Sequence, residues 1–371
     1  MIKILFFLDT TLSSGGAEKA LKELVNNLDQ AKFDITVQTV WHEDIRPHLA
    51  QGIRYRYFFK KKNRLTKLLY RIEAALGLSY SFHMKDNYDI EVAYLEYGPT
   101  KVIARSTNKS AIKLAWVHCD LSKEHCNLAH FQKKANRWYR VFDKVVCVSQ
   151  TVKKSFDTLF GSVATSTVVY NTIDDVAIKQ KSAEPLPTGI EKKHFTLLTV
   201  GRLYPVKGYD RLLEVSHRLH KDGFLFDLWI LGEGPLRHSL TQYIQQHNLS
   251  NHVFLPGFFN NPYPFFLAAD LVICSSISEG FSTMVTEALV LGKPVVTTDC
   301  SGMYELLGNN EYGLIVENST EGLYAGIKSL LTDCTRLHSL QEQSKLRGQQ
   351  FTKQTRISQT EVFFEELLKK K

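Results

Sequence analysis

Short apolar runs rich in β-branched and aromatic residues recur along the whole sequence, and a helical pattern or a loop follows each of them. This alternation is typical of βα units, in which crossover connections join parallel strands. The runs of the first half are IKILFFLD, DITVQTVW, IRYRYFF, IEVAYLE, AIKLAWVH, KVVCVS and STVVYN, and those of the second are FTLLTVG, FDLWILG, HVFLPG, LVICSS, PVVTT and GLIVE. The pattern predicts an α/β protein with two Rossmann-like, doubly wound parallel sheets.

The length of 371 residues also favours two domains, because a single core rarely exceeds about 250–300 residues. Residues 174–194 contain two prolines, one glycine and no apolar periodicity, which is typical of a connection between domains. We therefore predict a first domain over residues 1–178, a linker over 179–193 and a second domain over 194–371. The pattern after residue 320 is helical, and the sequence leaves open whether the last helix packs back on the first domain.

The positive charge of the chain is concentrated in its first half. The net charge is +8; residues 1–185 contribute +9, from 28 lysines and arginines against 19 acidic residues, whereas residues 186–371 contribute −1. We therefore expect an anionic partner to meet the first domain. No nucleic-acid module is recognisable in this basic chain, so we predict no nucleic-acid partner.

The six cysteines are scattered, and none has the spacing of a metal ligand set, so we expect them to be reduced and mostly buried. The amino-terminal apolar run has only five residues before Asp9, with no small-residue cleavage site after it, so a buried strand is expected rather than a signal peptide. No stretch approaches the roughly 18–20 apolar residues of a membrane-spanning helix. The chain is therefore expected to be soluble or peripheral to a membrane.

Two glutamates flank a Gly-Phe-Ser turn in the segment SISEGFSTMVTEALVLGKPVV, residues 276–296. Ser282 is expected to cap a helix that Gly292 ends. Glu279 is then in a loop at the carboxyl end of a strand, and Glu287 is in the second helical turn. Ligands of open α/β sheets bind at that edge.

The backbone N–H groups at the start of this helix, on Gly280, Phe281 and Ser282, suit a phosphate group. Carboxylates beside a phosphate would repel it unless they face hydroxyl groups instead. Glu279 and Glu287 therefore favour sugar and ribose hydroxyls, and the whole arrangement predicts a nucleotide sugar. The alternative is that the two glutamates are a solvated loop carboxylate and a helix-face charge.

A second anion site is predicted in TVGRLYPVKGYDRLL. Arg202 and Lys207 lie in a βα loop, with Gly208 just before a helix. Two cations and a helix terminus can neutralise a leaving diphosphate without a metal ion. No Asp-x-Asp triplet is present to hold Mg²⁺ or Mn²⁺ against phosphates, so we predict no metal site and no cofactor apart from the donor substrate. Basic loops are common, and these two residues alone would also fit an ordinary surface.

In the first half, Gly15 and Gly16 occupy the first βα turn, where missing side chains allow a ligand to approach the backbone closely. His118 ends the run AIKLAWVH, at the carboxyl end of a strand, and is able to donate to a sugar hydroxyl or steer a proton. Glu96, in AYLEYGPTK, is a further candidate site residue at the carboxyl end of a strand. Taken alone, the two glycines would be better explained by a backbone turn and His118 by a packed histidine, and Glu96 leaves both interpretations open.

Together these segments resemble retaining glycosyltransferase family four, of the bacterial cell-surface polysaccharide type, which has the GT-B fold. GRLYPVKGYDRLL, ILGEGPLRHSL, EGFSTMVTEALVLGKPVVTTD and YELLGNNEYGLIVE resemble its donor domain, and SSGGAEKAL, WVHCD, VVCVSQTVKKSF and VVYNTID its first domain. The resemblance covers nearly the whole chain and implies two Rossmann-like domains facing a cleft, with the donor on the second and the acceptor on the first. Thr172 departs from the small or proline residue that often follows the asparagine in the family, which affects the acceptor-side loop.

The resemblance also implies roles for residues of the second domain. Glu279 would contact the donor sugar, and Glu287 would bind the ribose hydroxyls. Arg202 and Lys207 would hold the diphosphate. The base would lie against backbone near Phe258.

In the first domain, the resemblance implies that Gly16 approaches the diphosphate and His118 contacts the donor sugar. The implied reaction is a metal-independent transfer of a hexose or related sugar, with UDP favoured, to a saccharide acceptor with retention at the anomeric carbon. In the front-side mechanism that the family implies, the departing phosphate takes the acceptor proton. Two other classes remain open: an epimerase or hydrolase of the same fold that acts on the nucleotide sugar, and a non-catalytic nucleotide-sugar-binding protein.

Residues 58–78 combine an apolar helical stripe with six cations. The stripe, called here the leucine stripe, consists of Leu65, Leu68, Leu69, Ile72 and Leu76, and the cations are Lys60, Lys61, Lys62, Arg64, Lys67 and Arg71. Such a helix is able to lie on an anionic membrane; the alternative is that the stripe faces the core. We predict a cytoplasmic enzyme held peripherally at the inner face of the cell membrane, acting on polyprenyl-diphosphate-linked intermediates of capsule, exopolysaccharide or lipopolysaccharide synthesis.

Overall fold

The computed structural model describes residues 1–9, 15–44, 48–123 and 127–369. The strands in these residues are β1 (Ile2–Leu8), β2 (Phe33–Trp41), β3 (Arg54–Phe59), β4 (Ile90–Ala93), β5 (Ile112–Val117), β6 (Lys144–Cys147), β7 (Ser166–Val168), β8 (Phe195–Val200), β9 (Phe226–Leu231), β10 (Val253–Gly257), β11 (Leu271–Cys274), β12 (Val295–Thr298) and β13 (Leu314–Val316). Each of the thirteen apolar runs of the sequence therefore contains a strand, as predicted.

The described helices are α1 (Gly16–Asn27), α2 (Arg64–Leu76), α3 (Ser79–His83), α4 (Gly98–Ile103), α5 (Leu128–Tyr139), α6 (Gln150–Phe160), α7 (Asp175–Ser182), α8 (Tyr209–Lys221), α9 (Arg237–Gln246), α10 (Tyr263–Ala268), α11 (Thr283–Val290), α12 (Met303–Leu307), α13 (Thr320–Thr332), α14 (Cys334–Gly348) and α15 (Lys353–Lys369). A 3₁₀ turn at Pro205–Lys207 precedes α8. None of the helices in the described residues combines the length and the apolar character needed to cross a membrane.

The strands form two parallel sheets. Their orders are β3-β2-β1-β4-β5-β6-β7 and β10-β9-β8-β11-β12-β13. In each sheet the chain first builds outward on one side, from β1 or β8, and then returns to build on the other side. The order therefore reverses between β1 and β4 and between β8 and β11, which is the doubly wound arrangement that the sequence predicts.

Central strands of both sheets are buried on both faces, which explains their unbroken apolar runs. The side chains of Ile4 to Leu8 in β1 have no exposed surface, and all six residues of β9 are buried. Leu213 of α8 and Ile327 of α13 are fully buried and belong to the core of the second sheet.

Contacts divide the chain into two compact units. The first unit contains Met1–Thr172 and the residues from Gln354 on, and the second contains Ile173–Lys353. Most of α15 thus belongs to the first unit. The division by function into an acceptor domain and a donor domain stays a prediction.

Phe364 anchors α15 in the first unit. Its side chain is fully buried, and its ring meets those of Phe6 and Phe33 edge to face at centroid distances of 6.2 and 6.1 Å. Glu361, one turn earlier, accepts a hydrogen bond from the backbone N–H of Asp29 (2.8 Å). The last helix is therefore part of the first hydrophobic core.

The stretch 174–194 is not a plain linker, because α7 forms within it. The Asp174 carboxylate accepts a hydrogen bond from the Ala177 N–H (2.9 Å), which caps the helix, and Lys179 and Lys181 lie in its last turn. Ile178 is buried, and α7 contacts α10 and α11. Capping and tertiary packing form this helix where apolar periodicity is absent.

The cysteine prediction holds for part of the set. Of the described cysteines, Cys147, Cys274 and Cys300 are buried, Cys119 is partly buried and Cys334 is exposed. Cys126 lies outside the described residues.

Helix α2 confirms the predicted helix but not a core-facing stripe. The five side chains of the leucine stripe are between 40% and 68% exposed, and no residue of α2 is fully buried. The interpretation of this stripe as part of the core is therefore wrong.

Replacing Phe364 by alanine should lower the free energy of unfolding of the first unit by about 3–5 kcal/mol, because a large buried side chain is lost next to two other rings. Chemical denaturation followed by circular dichroism measures this change. Val362→Ala, on the same helix at a half-exposed position, is the control and should change the value by less than about 0.5 kcal/mol. An equally small effect of Phe364→Ala would contradict the packing of α15.

Candidate functional site

In the second unit, two loops meet where the strand order reverses. The loop after β8 and the loop after β11 leave the carboxyl ends of neighbouring strands. Across this junction Lys207 Nζ lies 2.6 Å from Glu279 Oε1, and the hydroxyl of Ser276 donates to the same oxygen at 2.6 Å. The structure thus brings together two of the predicted site residues, which are 72 positions apart.

Gly208 allows the two loops to approach each other. Its φ of 62° is left-handed, and a Cβ at this position would lie 2.3 Å from the carbonyl oxygen of Ser275. The Ser275 hydroxyl donates to the Lys207 carbonyl (2.8 Å), and the Ile277 N–H donates to the Val206 carbonyl (2.7 Å). The relative position of Lys207 and Glu279 is therefore fixed by backbone contacts.

Arg211 completes this connection and was not identified from the sequence. Its Nε donates to the carbonyl of Ser275 (3.0 Å), and its Nη2 donates to the carbonyl of Ser276 (2.9 Å). These carbonyls follow β11 and have no regular strand partner there. The one signal in the sequence is spacing, because Arg211 stands one helical turn after Lys207.

Lys207 stays protonated at the site. Burial by itself lowers the pKa of its ammonium group, but the charge and the hydrogen bond of Glu279 outweigh burial, and the net pKa is raised. The side chain of Glu279 is only 13% exposed. The two groups are therefore a partly buried ion pair at the sheet edge.

Helix α11 begins directly after this loop. The Ser282 hydroxyl accepts a hydrogen bond from the Val285 N–H (3.3 Å), which confirms the predicted cap. Gly280 and Phe281 precede the cap, so the predicted N–H groups lie at the start of the helix. A Cβ at Gly302, whose φ is 80°, would lie 2.7 Å from the Gly280 carbonyl, so a second chain segment packs tightly against this turn.

Glu287 is buried on α11, with 4% of its surface exposed. The hydroxyl of Tyr263, on α10, donates to Glu287 Oε1 at 3.4 Å. Tyr263 was also missed from the sequence, because it meets Glu287 only through the packing of two helices. The alternative of a solvated helix-face charge for Glu287 is wrong.

Arg202 and Phe258 lie at the same carboxyl edge but outside the Lys207–Glu279 pair. Arg202 is exposed, and its guanidinium lies over the ring of Tyr204 at 5.2 Å. Phe258 follows β10, and 63% of its surface is exposed. Within the described residues, no hydrogen bond or ion pair joins either of them to Lys207 or Glu279.

In the first unit, His118 follows β5 and Glu96 follows β4, the neighbouring strand. Oε1 of Glu96 accepts hydrogen bonds from the backbone N–H groups of His118 and Cys119, the latter at 3.1 Å. Burial raises the pKa of the Glu96 carboxyl. Glu96 therefore holds the chain that carries His118.

The imidazole of His118 is neutral. Burial lowers its pKa to about 3, and its ring lies 4.7 Å from that of Tyr94. Both ring nitrogens are buried, and neither finds a hydrogen-bond partner among the described residues. A neutral imidazole offers one donor and one acceptor, so His118 is equipped to bind a polar ligand.

Gly15 and Gly16 are placed at the start of α1, with residues 10–14 before them outside the described residues. Gly15 is extended, and it occupies the N-cap position without a side chain that could cap the helix; Gly16 is the first residue of the helix. Asp9, at the end of β1, was not selected as a site residue. Burial raises the pKa of its carboxyl to about 6, and a Cβ at Gly98 would lie 1.8 Å from its Oδ2.

Residues 180–347 match the family model of glycosyl transferases group 1. A relative from Campylobacter jejuni, N-acetylgalactosamine-N,N'-diacetylbacillosaminyl-diphospho-undecaprenol 4-alpha-N-acetylgalactosaminyltransferase, is 37% identical over 188 residues. This match covers 50% of the present chain and 50% of the relative. The chain thus spans about half the length of this curated relative.

Two solved structures resemble the whole chain. Anabaena Alr3699/HepE, crystallised in complex with UDP, is 19% identical, with 98% of this chain and 100% of the other covered and a TM-score of 0.74. Sucrose-phosphate synthase from Thermosynechococcus elongatus is 15% identical, with both chains fully covered and a TM-score of 0.82. The predicted GT-B fold class is confirmed by these similarities.

His118 should remain neutral between pH 7 and pH 5, whereas in the unfolded chain it titrates near pH 6.5. The unfolded state then binds more protons, so His118 makes the native state less stable as the pH falls. His118→Gln should reduce the loss of unfolding free energy between pH 7 and pH 5 by about 2 kcal/mol. Urea denaturation at the two pH values measures it. A His118 NMR signal, assigned with the variant, that titrates above pH 5 would contradict the prediction.

Proposed function

We propose that the chain, whose residues 180–347 match the family model of glycosyl transferases group 1, is a retaining glycosyltransferase. It moves a sugar from a nucleotide-diphosphate donor, of the UDP-hexose type, to a saccharide on a lipid-linked diphosphate. The observation that carries this proposal is the Lys207–Glu279 pair at the strand-order reversal of the second unit. The protonated amine of Lys207 suits the diphosphate of a sugar nucleotide, and the adjacent carboxylate of Glu279 suits the hydroxyls of its sugar.

In the absence of a ligand, Lys207 and Glu279 neutralise each other. A donor diphosphate attracts the ammonium group of Lys207, and Glu279 then accepts hydrogen bonds from hydroxyls of the sugar while the Ser276 hydroxyl keeps its carboxylate in place. The exposed guanidinium of Arg202 is available to the same diphosphate. Charge-assisted hydrogen bonds of this kind contribute about 1.5–3 kcal/mol each.

The chemical step breaks the bond between the anomeric carbon and the donor phosphate oxygen. The acceptor hydroxyl oxygen bonds to that carbon on the same face, and its proton passes to the leaving phosphate oxygen, so the configuration is retained. Negative charge grows on the diphosphate as the bond breaks. Lys207, Arg202 and the N–H groups at the start of α11 stabilise that charge, and electrostatic stabilisation of this type is often the largest contribution to catalysis.

The nucleoside is proposed to bind next to this diphosphate. Glu287 is buried beside the Tyr263 hydroxyl and is assigned to the ribose hydroxyls, because the two oxygens of a carboxylate accept several hydrogen bonds at once. Backbone near Phe258 is assigned to the base. Binding of UDP by the Anabaena structure of similar fold supports a UDP-linked donor.

The first unit is proposed to bind the acceptor. Its neutral His118, with two buried and unpartnered ring nitrogens among the described residues, is assigned to hydroxyl contacts. Gly16, the first residue of α1, is assigned to an anionic group. The name of the Campylobacter jejuni relative describes a diphospho-undecaprenol substrate, which supports a polyprenyl-diphosphate acceptor and a place in capsule, exopolysaccharide or lipopolysaccharide synthesis.

A lipid-linked acceptor requires access to a membrane, and α2 supplies a suitable surface. Successive residues of a helix are rotated by about 100° about the helix axis. The side chains of α2 therefore point in several directions, and they form three groups around the axis, called faces here. The face that packs on the first unit carries Tyr70, whose ring lies 5.7 Å from that of Trp41, and Glu73, which pairs with His83 at 2.9 Å. The leucine stripe forms a second face, which is exposed.

The cations of α2 form the third face, which adjoins the leucine stripe. Arg64, Lys67 and Arg71 are exposed there, and Lys60 to Lys62 precede the helix. On an anionic membrane the apolar side chains would enter the interface, and each cation near the surface contributes about 1 kcal/mol. We propose an anionic membrane as the partner of this surface, with the chain held at the inner face of the cell membrane.

Glu287→Gln should weaken UDP binding by about 10- to 100-fold, because a buried charged acceptor of two hydroxyl hydrogen bonds is lost. Calorimetric titration with UDP, GDP and ADP measures the affinity and identifies the base. Glu342→Gln, which removes an exposed carboxylate of the same unit that pairs with Lys345 (2.6 Å), is the control and should bind like the wild type. Equal affinity of both variants would refute the assignment of Glu287.

Product analysis separates this function from the two other classes. A transferase should release UDP only when acceptor is present, and the anomeric proton coupling of the product should show retention. Rapid release of free sugar without acceptor would indicate a hydrolase, and an isomerised donor would indicate an epimerase. UDP-sugar binding with no turnover on any lipid-linked acceptor would indicate a binding protein.

The wild-type chain should cosediment with vesicles that contain phosphatidylglycerol at low salt, and a variant with Leu68, Leu69 and Ile72 all changed to glutamine should stay in solution. Changing Lys60, Lys61 and Lys62 to glutamine should reduce the salt dependence. Leu225→Gln, at another exposed leucine (60%), is the control. A stable dimer that the triple leucine-stripe variant dissociates, with no vesicle binding, would assign the stripe to a second copy and overturn the membrane proposal.

A further inference from the structure

Two histidines and an aspartate converge at the other end of the second sheet. Asp227 is the second residue of β9, His194 precedes β8 and His252 precedes β10. The parallel register pairs Thr196 of β8 with Asp227, and Leu228 of β9 with Val253 of β10. The amino ends of three adjacent strands therefore place the three side chains together, at the opposite edge from Lys207 and Glu279.

The distances among these groups match those of a metal ligand set. Asp227 Oδ1 lies 3.1 Å from His194 Nδ1 and 3.2 Å from His252 Nδ1. One ligand atom of each residue lies within 4.8 Å of the others. A tetrahedral Zn²⁺ ion with bonds of about 2.0–2.2 Å separates its ligands by about 3.4 Å. An ion placed between the carboxylate and the two rings thus requires only small movements.

Burial and accessibility also suit an ion at this place. The side chain of Asp227 is only 3% exposed, whereas those of His194 and His252 are 32% and 29% exposed. A buried carboxylate between two imidazoles needs positive charge, which a metal ion supplies. The half-open histidine side leaves room for a water molecule as a fourth ligand.

Among the described residues, two neighbouring side chains have partners of their own. Lys192, two residues before His194, pairs with Asp270 at 2.7 Å. The ring of His220 stacks on Phe226 (4.3 Å) and on His252 (4.9 Å). His220 thereby holds the ring of His252 in position.

We propose that His194, Asp227 and His252 form a binding site for a divalent transition metal ion of the Zn²⁺ class. Two imidazoles and one carboxylate are ligands that Zn²⁺, Co²⁺ and Ni²⁺ accept. The ion would connect the amino ends of β8, β9 and β10, so its role is structural. It lies apart from the donor site, and the site is independent of the proposed transfer reaction.

Metal binding is tested on the untagged full chain after dialysis against a chelator. Titration with Zn²⁺ should show one site, and Zn²⁺ should raise the melting temperature. Co²⁺ should give the visible absorption of a four-coordinate ion. His194→Ala and His252→Ala should each weaken the affinity by about 100-fold or more and remove the thermal shift, while UDP binding stays unchanged.

Two controls address the other histidines of the chain. His238→Ala removes an exposed histidine of the same unit and should bind Zn²⁺ like the wild type. His217→Ala tests a second pair, because the rings of His217 and His247 lie 4.5 Å apart. Absence of Zn²⁺ binding, binding that survives His194→Ala, or binding that only His217→Ala removes would each overturn the proposal. Asp227 is left unchanged in these tests because its burial makes a folding defect difficult to separate from loss of a ligand.

Discussion

Parallel pairing of β8 with β11 is the constraint on which the candidate donor site depends. Val272 and Leu198 pair in register, so the loops that follow these strands leave the sheet side by side. They approach so closely that only glycine fits at position 208, and Arg211 donates hydrogen bonds to the carbonyls of Ser275 and Ser276. A buried backbone of this kind is stable only when its polar groups are satisfied. The Lys207–Glu279 pair is therefore a product of sheet topology.

Desolvation determines the chemistry of the first unit. The polar groups at the ends of β1, β4 and β5 are Asp9, Glu96 and His118, and burial shifts the pKa of each toward the neutral form. Glu96 has backbone N–H partners, whereas the His118 ring nitrogens have none among the described residues. An unsatisfied buried group costs free energy, which a ligand hydroxyl would recover. This imbalance is the physical argument for assigning the ligand contact to His118 and a positioning role to Glu96.

Helix α2 shows how a correct helix prediction leaves its orientation undetermined. The residues of the leucine stripe recur with helical spacing, and so do those of the packing face, which contains Tyr70 and Glu73. The two sets of residues are offset from each other by one position along the chain. Aromatic contacts of Tyr70 with Trp41 and Phe58, and the hydrogen bond between Glu73 and His83, select the packing face. The leucine stripe is therefore exposed, and six cations of the basic first half lie beside it. Part of the positive charge of residues 1–185 is thus concentrated at one surface.

The sequence by itself determined the local features of this protein. The alternation of apolar runs and helices specified every described strand, because buried parallel strands must be apolar on both faces. Ser282 located the start of α11, which placed Glu279 in the loop before this helix and Glu287 on it. Tertiary structure decided what depends on distant contacts: the helix within the predicted linker, the packing of α15 on the first unit, and the partners Arg211 and Tyr263. The cluster of His194, Asp227 and His252 belongs to the same class. Its members are 25 to 33 residues apart in neighbouring pairs, and only the register of β8, β9 and β10 makes them neighbours, since strand pairing between distant segments leaves no local periodicity in a sequence.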